Sequence, residues 1–215
     1  MSVTFDFERR QRIGLPESVY CPGKSAAVIE HLVRTLHRRR DPILFTRMAP
    51  EQFSALETKL RDLLDYEAVS KTALLNGAHA RVRAASVAVV TAGTSDIPVA
   101  QEACRTLHYL GIRSVLIPDV GVAGPWRLRA RLPAISKNKV VIVAAGMDGA
   151  LISVVGASTR RPVIALPTSQ GYGAGHAGRA ALASALSSCA PGVTVVNVDN
   201  GYGAACAAAR ILGLS

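Results

Sequence analysis

The chain has 215 residues, of which 49% are hydrophobic, enough for one large domain or for one domain with a smaller attachment. No apolar run reaches the roughly 18 residues of a membrane span, and the charged opening MSVTFDFERRQR lacks the apolar segment of a signal peptide. We therefore expect a cytoplasmic protein without membrane contact. The net charge of +10 comes without a nucleic-acid-binding motif or interleaved aromatics, so no nucleic-acid partner is predicted.

The first 80 residues differ in composition from the rest, because they hold most of the acids and only three of the eighteen glycines. Apolar residues recur at helical spacing over 25–39 and again over 50–66, where Phe53, Leu56 and Leu60 form a stripe. These patterns predict a small helical region over 1–80, followed by a second domain over 81–215.

From residue 86 onward, continuous apolar runs end in glycine-rich polar segments and are separated by helix-length stretches such as 97–110 and 176–188. Continuous rather than alternating apolar runs are typical of strands that are buried on both faces. Strands that alternate with helices predict a three-layer α/β/α domain with a parallel sheet. The five runs with their polar ends are 86–96, 114–124, 139–149, 161–173 and 193–203.

All five runs place their glycines at the carboxyl end of the strand, where parallel α/β sheets bind ligands. In the first segment, AGTSD, Gly93 allows close backbone approach, and Thr94 and Ser95 offer donors to a phosphate. Ser95 and Asp96 could equally serve only as caps of the following helix.

The later segments supply charged candidates. Asp119 could contact ribose hydroxyls and Arg127 a phosphate or carboxylate, or both could belong to a structural turn. Asp148 is either a helix N-cap or a general base with a raised pKa. Tyr172 could stack on a flat ring, whereas a tight turn is enough to explain Asn200. The further candidate binding residues are Gly121, Gly124, Gly146, Ser169, Gly171, Gly173, Asn197 and Asp199.

The four cysteines, Cys21, Cys104, Cys189 and Cys206, form neither a C-x-x-C pair nor a zinc-binding spacing with histidine. We expect reduced thiols, most of them inert. Cys189 lies at a predicted helix C-terminus, where the helix dipole does not favour a thiolate. Its position alone therefore favours a buried, inert cysteine.

Taken together, the strings AGTSD, DVGVAG, AGMDGAL, PVIALPTSQGYG, SCAPG and VVNVDNGYGA resemble the LarB family, whose C-terminal half is similar to PurE, the aminoimidazole ribonucleotide carboxylase. The resemblance extends to the N-terminal region through RRQRIGLPESVYCPGKS (9–25) and LFTRM (44–48). It covers nearly the whole chain and implies a PurE-like or flavodoxin-like sheet over 81–215 and a LarB-type region over 1–80.

The resemblance implies a chemistry. LarB enzymes carboxylate C5 of the pyridinium ring of nicotinic acid adenine dinucleotide and cleave its phosphoanhydride to release AMP, as a step of nickel-pincer cofactor biosynthesis. A cysteine adds transiently to the ring; Cys189 matches that cysteine, and Asp148 matches the glutamate of the family's AGMEGA string. The implied co-substrate is CO2 or bicarbonate, with Mg²⁺ as a candidate ion of unknown ligands and no tightly bound organic cofactor. The implied assembly is a ring-like homo-oligomer such as an octamer.

Three positions depart from the family pattern. Trp126 stands where a histidine is usual, Asp148 is one methylene shorter than glutamate, and Ile152 stands where proline is frequent. The histidine that corresponds to Trp126 transfers protons in PurE, and tryptophan cannot. Two other interpretations therefore stay open: a PurE-like ribonucleotide carboxylase, mutase or decarboxylase, and a nucleotide-binding protein without catalysis.

Overall fold

A computed structural model describes residues 4–79 and 82–213; the predicted domain boundary at 80/81 lies outside the described residues. The N-terminal module is a four-stranded mixed sheet with helices, in the strand order β1-β2-β4-β3. Strand β1 is parallel to β2, and the other pairs are antiparallel. In chain order its elements are α1 (Arg9–Ile13), β1 (Val19–Tyr20), α2 (Ala26–His37), β2 (Ile43–Thr46), α3 (Pro50–Ser54), α4 (Thr58–Arg61), β3 (Leu64–Glu67) and β4 (Thr72–Leu75).

The predicted small helical region over 1–80 also contains a four-stranded sheet that the sequence did not reveal, and its first predicted helix is confirmed as α2. The second predicted helix, 50–66, divides into α3, α4 and the strand β3. At the break, Glu57 has an extended backbone (ψ 141°), and its amide donates to the Glu30 carboxylate at 2.7 Å instead of to a helical carbonyl. Leu56 and Leu60 still reach the same core, so two short helices satisfy the apolar spacing that one long helix was expected to satisfy.

The C-terminal module is the predicted parallel α/β domain. Its five strands are all parallel and have the order β6-β5-β7-β8-β9, the flavodoxin-like arrangement. Its elements are β5 (Val82–Thr91), α5 (Ile97–Tyr109), β6 (Ile112–Ile117), α6 (Pro125–Ser136), β7 (Val140–Ala145), α7 (Ala150–Ser158), β8 (Val163–Pro167), α8 (Arg179–Leu186), β9 (Val193–Val195) and α9 (Gly201–Ile211), with 3-10 turns at Thr94–Asp96 and Gly173–Gly178.

Both faces of this sheet are covered, which explains the continuous apolar runs. Val87 and Val89 of β5 point into one core with α5 and α9, whereas Ala88 and Val90 point into a second core with α6, α7 and α8. Successive side chains of a strand alternate between faces, so a strand between two helical layers must be apolar throughout. The three-layer α/β/α prediction is therefore confirmed. Among the described residues, no helix is both long and apolar enough to cross a membrane.

The two modules meet along α5. Tyr109 is fully buried and donates its hydroxyl to the carbonyl of Glu17 at 3.1 Å, next to Leu44 and Leu74 of the N-terminal sheet. Arg105, one turn earlier, donates to the carboxylate of Asp65 at 2.9 Å and to its carbonyl at 2.7 Å. The buried Tyr109 and the guanidinium of Arg105, both on α5, therefore hold the C-terminal module against the sheet of the N-terminal module.

We predict that Arg105→Ala lowers the free energy of unfolding by about 1 to 2 kcal/mol, because three hydrogen bonds between the modules are lost and Asp65 is too exposed for the ion pair itself to contribute much. Denaturant titration measures the change. Arg129→Ala, at an exposed position of α6, is the matched control and should change stability by less than about 0.5 kcal/mol. Equal stability of the two variants would contradict the assignment.

Candidate functional site

A cavity of about 700 Å³ lies at the carboxyl edge of the parallel sheet, within the range of small-molecule sites. From β5 the chain continues to β6 on one side and later to β7 on the other, and the cavity is centred at this switch point between β5 and β7. Ligands usually bind at the switch point of such sheets. The candidate residues that line this main pocket are Gly93, Ser95, Asp96, Asp119, Gly121, Arg127, Gly146, Asp148, Gly171 and Tyr172.

Asp96 holds the loops of the main pocket together. Its carboxylate is buried and accepts hydrogen bonds from the amide of Gly93 at 2.8 Å and from the hydroxyl of Thr168 at 2.5 Å. Burial raises the pKa of Asp96, while hydrogen bonds from Thr168 and from the amides of Gly93 and Gly146 oppose that rise. One carboxylate thus connects the loops that follow β5, β7 and β8.

Capping, the other interpretation of Asp96, is met only in the turn before the helix, where the Asp96 carboxylate accepts the amide of Gly93 and caps the 3-10 turn. Helix α5 begins at Ile97 without a side-chain cap, after the 3-10 turn Thr94–Asp96, because the Asp96 carboxylate is turned inward to Gly93 and Thr168. Ser95 is exposed and lines the main pocket, which leaves its hydroxyl available to a ligand.

Two glycines of the main pocket are fixed by close approach of neighbouring loops. A Cβ atom at Gly121 would lie 2.7 Å from the carbonyl oxygen of Ala92, and one at Gly146 would lie 2.8 Å from the Thr168 hydroxyl. Any larger side chain at either position would separate the loops that carry the candidate residues. These glycines therefore serve packing of the site as well as backbone approach to a ligand.

Asp119 and Arg127 face each other across the mouth of the pocket. Their side chains form an ion pair at 2.8 Å; the Asp119 side chain is 48% exposed and the Arg127 side chain 30% exposed. Asp119 has a left-handed backbone (φ 56°), and its amide donates to the Thr91 hydroxyl at 3.1 Å. The guanidinium keeps further N–H donors beside its single ion pair, so Arg127 can bind an anion without releasing Asp119.

Asp148 is exposed on the wall of the main pocket, and its Oδ1 accepts the amide of Ala150 at 3.1 Å. That bond supports the turn that leads into α7, although the N-cap position that the sequence offered to Asp148 is occupied by Gly149. A carboxylate has a second oxygen, so this bond leaves Asp148 able to accept a proton from a ligand in the pocket. Tyr172, 78% exposed, stands at the rim, and Trp126, 71% exposed, stands next to Arg127 without lining the pocket.

The remaining candidates lie elsewhere. Asn200 caps helix α9 by accepting the amide of Gly203 at 2.8 Å, and Asn197 accepts the amide of Val198 at 2.9 Å, so local structure accounts for both side chains. The candidates Thr94, Gly124 and Gly173 do not line the main pocket. Sequence reasoning did not single out the other lining residues, which lie in the same strand-end strings but carry no charge: Ala92, Val122, Ala123, Ala145, Met147, Ala150, Leu151 and Gln170.

A second cavity, of about 210 Å³, adjoins the main pocket through Gln170, which lines both. Here the N-terminal module contributes Arg47 and Lys71, neither of which the sequence marked as a site residue. Arg47 donates to the carbonyl of Asp199, a candidate that lines this cavity, and lies 3.7 Å from the carboxylate of Glu102. Burial raises the pKa of Glu102, and the charge of Arg47 opposes that rise.

Cys21 is buried, Cys104 and Cys206 are partly buried, and Cys189 is exposed. Burial raises the pKa of Cys21 to about 12 and the pKa values of Cys104 and Cys206 to about 11, which keeps all three protonated at neutral pH. Cys189 is exposed, which corrects the expectation of a buried residue there. It precedes β9, toward the amino edge of the sheet, and does not line the main pocket. Within one chain, the structure does not bring Cys189 to Asp148.

Within the described residues, no three His, Cys, Asp or Glu side chains come together as ligands for a metal ion. Mg²⁺ stays a prediction.

Comparison with known proteins agrees with this architecture. Residues 2–77 match the LarB/PurE-like N-terminal domain, and residues 86–215 match the AIR carboxylase family. An uncharacterized protein of Methanocaldococcus jannaschii is 37% identical over 206 residues, which is 93% of this chain and 79% of that protein.

Among solved structures, PurE of Treponema denticola and a substituted PurE2 from the same organism have TM-scores of 0.51 and 0.50. Each is 24% identical to this chain, and each match covers 60% of this chain and 80% of the other. At that identity the likeness shows a shared PurE-like fold and nothing more. The family matches extend over both modules, and the chain therefore belongs to the LarB family, with a LarB-type N-terminal module and an AIR carboxylase module.

Proposed function

We propose that this protein is a carboxylase that adds CO2 to C5 of the pyridinium ring of nicotinic acid adenine dinucleotide, with cleavage of the phosphoanhydride to release AMP. The observation that carries the proposal is the glycine-lined main pocket at the reversal point of an AIR carboxylase module, in a chain that also has the LarB-type module. AIR carboxylase membership supports carboxylation, and the LarB-type module favours the pyridine nucleotide as the substrate.

The chemistry of the main pocket suits a pyridine nucleotide. Ser95 and the amides of its loop offer donors to a phosphate, and Arg127 offers a second anion contact. Met147, 44% exposed, and Leu151 provide an apolar surface for the ring, and Tyr172 can stack on it from the rim. Asp148 is the carboxylate of this wall that we assign as the base.

The reaction needs a temporary electron donor, because a pyridinium ring is electron-poor and does not attack CO2. A thiolate that adds to a ring carbon next to C5 gives a neutral dihydropyridine, whose enamine carbon C5 forms the new bond to CO2. Asp148 then takes the proton from C5, the thiolate leaves and the pyridinium is restored. The balance is one CO2 bound and one proton released; phosphoanhydride cleavage separately consumes one water.

Cys189 is the thiol best suited to this step, because desolvation raises the pKa values of the other three and keeps them protonated. Since it stands away from the pocket of its own chain, it has to enter the pocket of a second copy. The surface beside it is suited to a homo-oligomeric contact: Ser188 bonds Ser153 of α7 at 2.7 Å, and Val154 and Leu186 are exposed nearby. Helix α7 is apolar on its outer face as well, which is typical of a covered helix.

Ser95→Ala should weaken binding of nicotinic acid adenine dinucleotide by about 1 kcal/mol, roughly fivefold in Kd, because one hydroxyl donor to a phosphate is lost. Isothermal titration calorimetry measures it. Ser187→Ala is the matched control, since that hydroxyl bonds only carbonyls of its own helix. Unchanged affinity of the Ser95 variant would place the phosphate elsewhere.

Asp148→Asn should lower turnover by more than about 100-fold while Kd for the dinucleotide changes only a few-fold, because proton transfer is used only in the transition state. Asparagine keeps an oxygen that can accept the Ala150 amide, so the capping bond survives and only the base is lost. Asp148→Glu should retain activity. Full turnover of the asparagine variant, measured by mass spectrometry of the carboxylated product, would assign Asp148 to capping alone.

Mixing the wild-type protein with the dinucleotide should produce a near-ultraviolet dihydropyridine band, because addition of the Cys189 sulfur to the pyridinium ring creates that chromophore. Cys189→Ser should lose both the band and the activity yet still bind the nucleotide.

If the thiol crosses between copies, co-expression of Cys189→Ser with Asp148→Asn should restore about a quarter of the wild-type activity, because that share of randomly mixed sites is intact. Each variant alone is the control. A mixture that stays inactive although both chains assemble would contradict a shared site.

A further inference from the structure

The second cavity is built jointly by the two modules. Arg47 comes from the turn after β2, Lys71 from the turn before β4, and Asp199 from the segment before α9. Because Gln170 lines both this cavity and the main pocket, a ligand that extends beyond the main pocket reaches the second cavity next.

The two cations of the second cavity, Arg47 and Lys71, have an unusual backbone conformation. Arg47 and Lys71 both adopt left-handed conformations, with φ of 52° and 54°, a region that glycine and asparagine occupy far more readily than long side chains. The Lys71 turn is held by its own carbonyl, which accepts the amide of Met48 at 2.7 Å. Within the described residues, the Lys71 ammonium forms no ion pair, so it is available to a ligand.

The electrostatics of the second cavity favour an anion. Pro98 and Val99, in the first turn of α5, line it, and Asp199 lies just before α9, so two long helices direct their positive ends toward it. Its two carboxylates are already engaged. Glu102 accepts the amides of Gly201 and Tyr202, and Asp199 accepts the amide of Ser169 at 2.8 Å.

The size of the cavity limits the ligand. A volume of about 210 Å³ equals roughly seven waters of about 30 Å³ each, enough for a phosphate group and too small for an adenosine. We propose that the second cavity is an oxyanion subsite that binds the AMP-side phosphate of a dinucleotide whose pyridine half occupies the main pocket; the identity of that dinucleotide rests on the proposed function. The N-terminal module thereby selects dinucleotides over mononucleotides.

Lys71→Asn tests the subsite, because asparagine tolerates the left-handed backbone and removes only the charge. Arg40→Asn is the matched control: Arg40 is also an exposed, left-handed cation of the N-terminal module (φ 61°), and it does not line either cavity. Calorimetry would measure Kd for nicotinic acid adenine dinucleotide, nicotinic acid mononucleotide and inorganic pyrophosphate in all three proteins.

Lys71→Asn should raise Kd for the dinucleotide and for pyrophosphate by roughly fivefold, the difference shrinking at high salt, and leave Kd for the mononucleotide unchanged. Arg40→Asn should change none of them. Equal dinucleotide affinity in both variants would overturn the subsite while leaving the carboxylase proposal intact. If the wild type fails to carboxylate the dinucleotide, a Lys71-dependent affinity for pyrophosphate still supports the oxyanion subsite. Lys71-dependent binding of bicarbonate, with none of pyrophosphate, would overturn the phosphate assignment.

Discussion

The site depends on one buried carboxylate. Asp96 accepts hydrogen bonds from the loop after its own strand, from the hydroxyl of Thr168 after β8, and from the amide of Gly146 after β7. Burial nevertheless raises the pKa of Asp96 above that of aspartate in the unfolded chain. The folded state therefore loses stability as pH rises from the unfolded-state pKa to the folded-state pKa of this carboxyl. An apolar residue at position 96 would avoid the cost of burying a carboxylate. A carboxylate, however, has several acceptor positions and can therefore hold three loops at the same edge of the sheet.

The parallel sheet could be predicted from sequence because burial on both faces makes its central strands continuously apolar, and β7 and β8 are buried at every position. The N-terminal sheet could not. Strand β3 carries Asp65 and Glu67, and its one leucine, Leu64, continues a helical spacing that starts at Phe53. What makes it a strand is its antiparallel pairing with β4, together with the amide of Glu57 bonded to Glu30, contacts that no local pattern reveals.

The site was predictable to the extent that its residues sit in strand-end segments, as Ser95, Arg127 and Asp148 do. Sequence could place Asp96 in the right loop, but not show that it turns inward, because its partner Thr168 is 72 residues away. Arg47 and Lys71 were missed because they belong to the other module and reach the site only through the packing of α5. Cys189 could be identified from the family resemblance, but its position beside α7 could not be predicted without the three-dimensional structure.

The contact between Arg47 and the carbonyl of Asp199 joins the two modules through a main-chain acceptor. Every amino acid supplies that same oxygen, so the contact itself does not depend on which side chain stands at position 199. Selection can therefore act on the Asp199 side chain for its bond to the amide of Ser169, separately from the contact between the modules. Related chains could therefore diversify the loop beside the second cavity without losing the attachment of their N-terminal module.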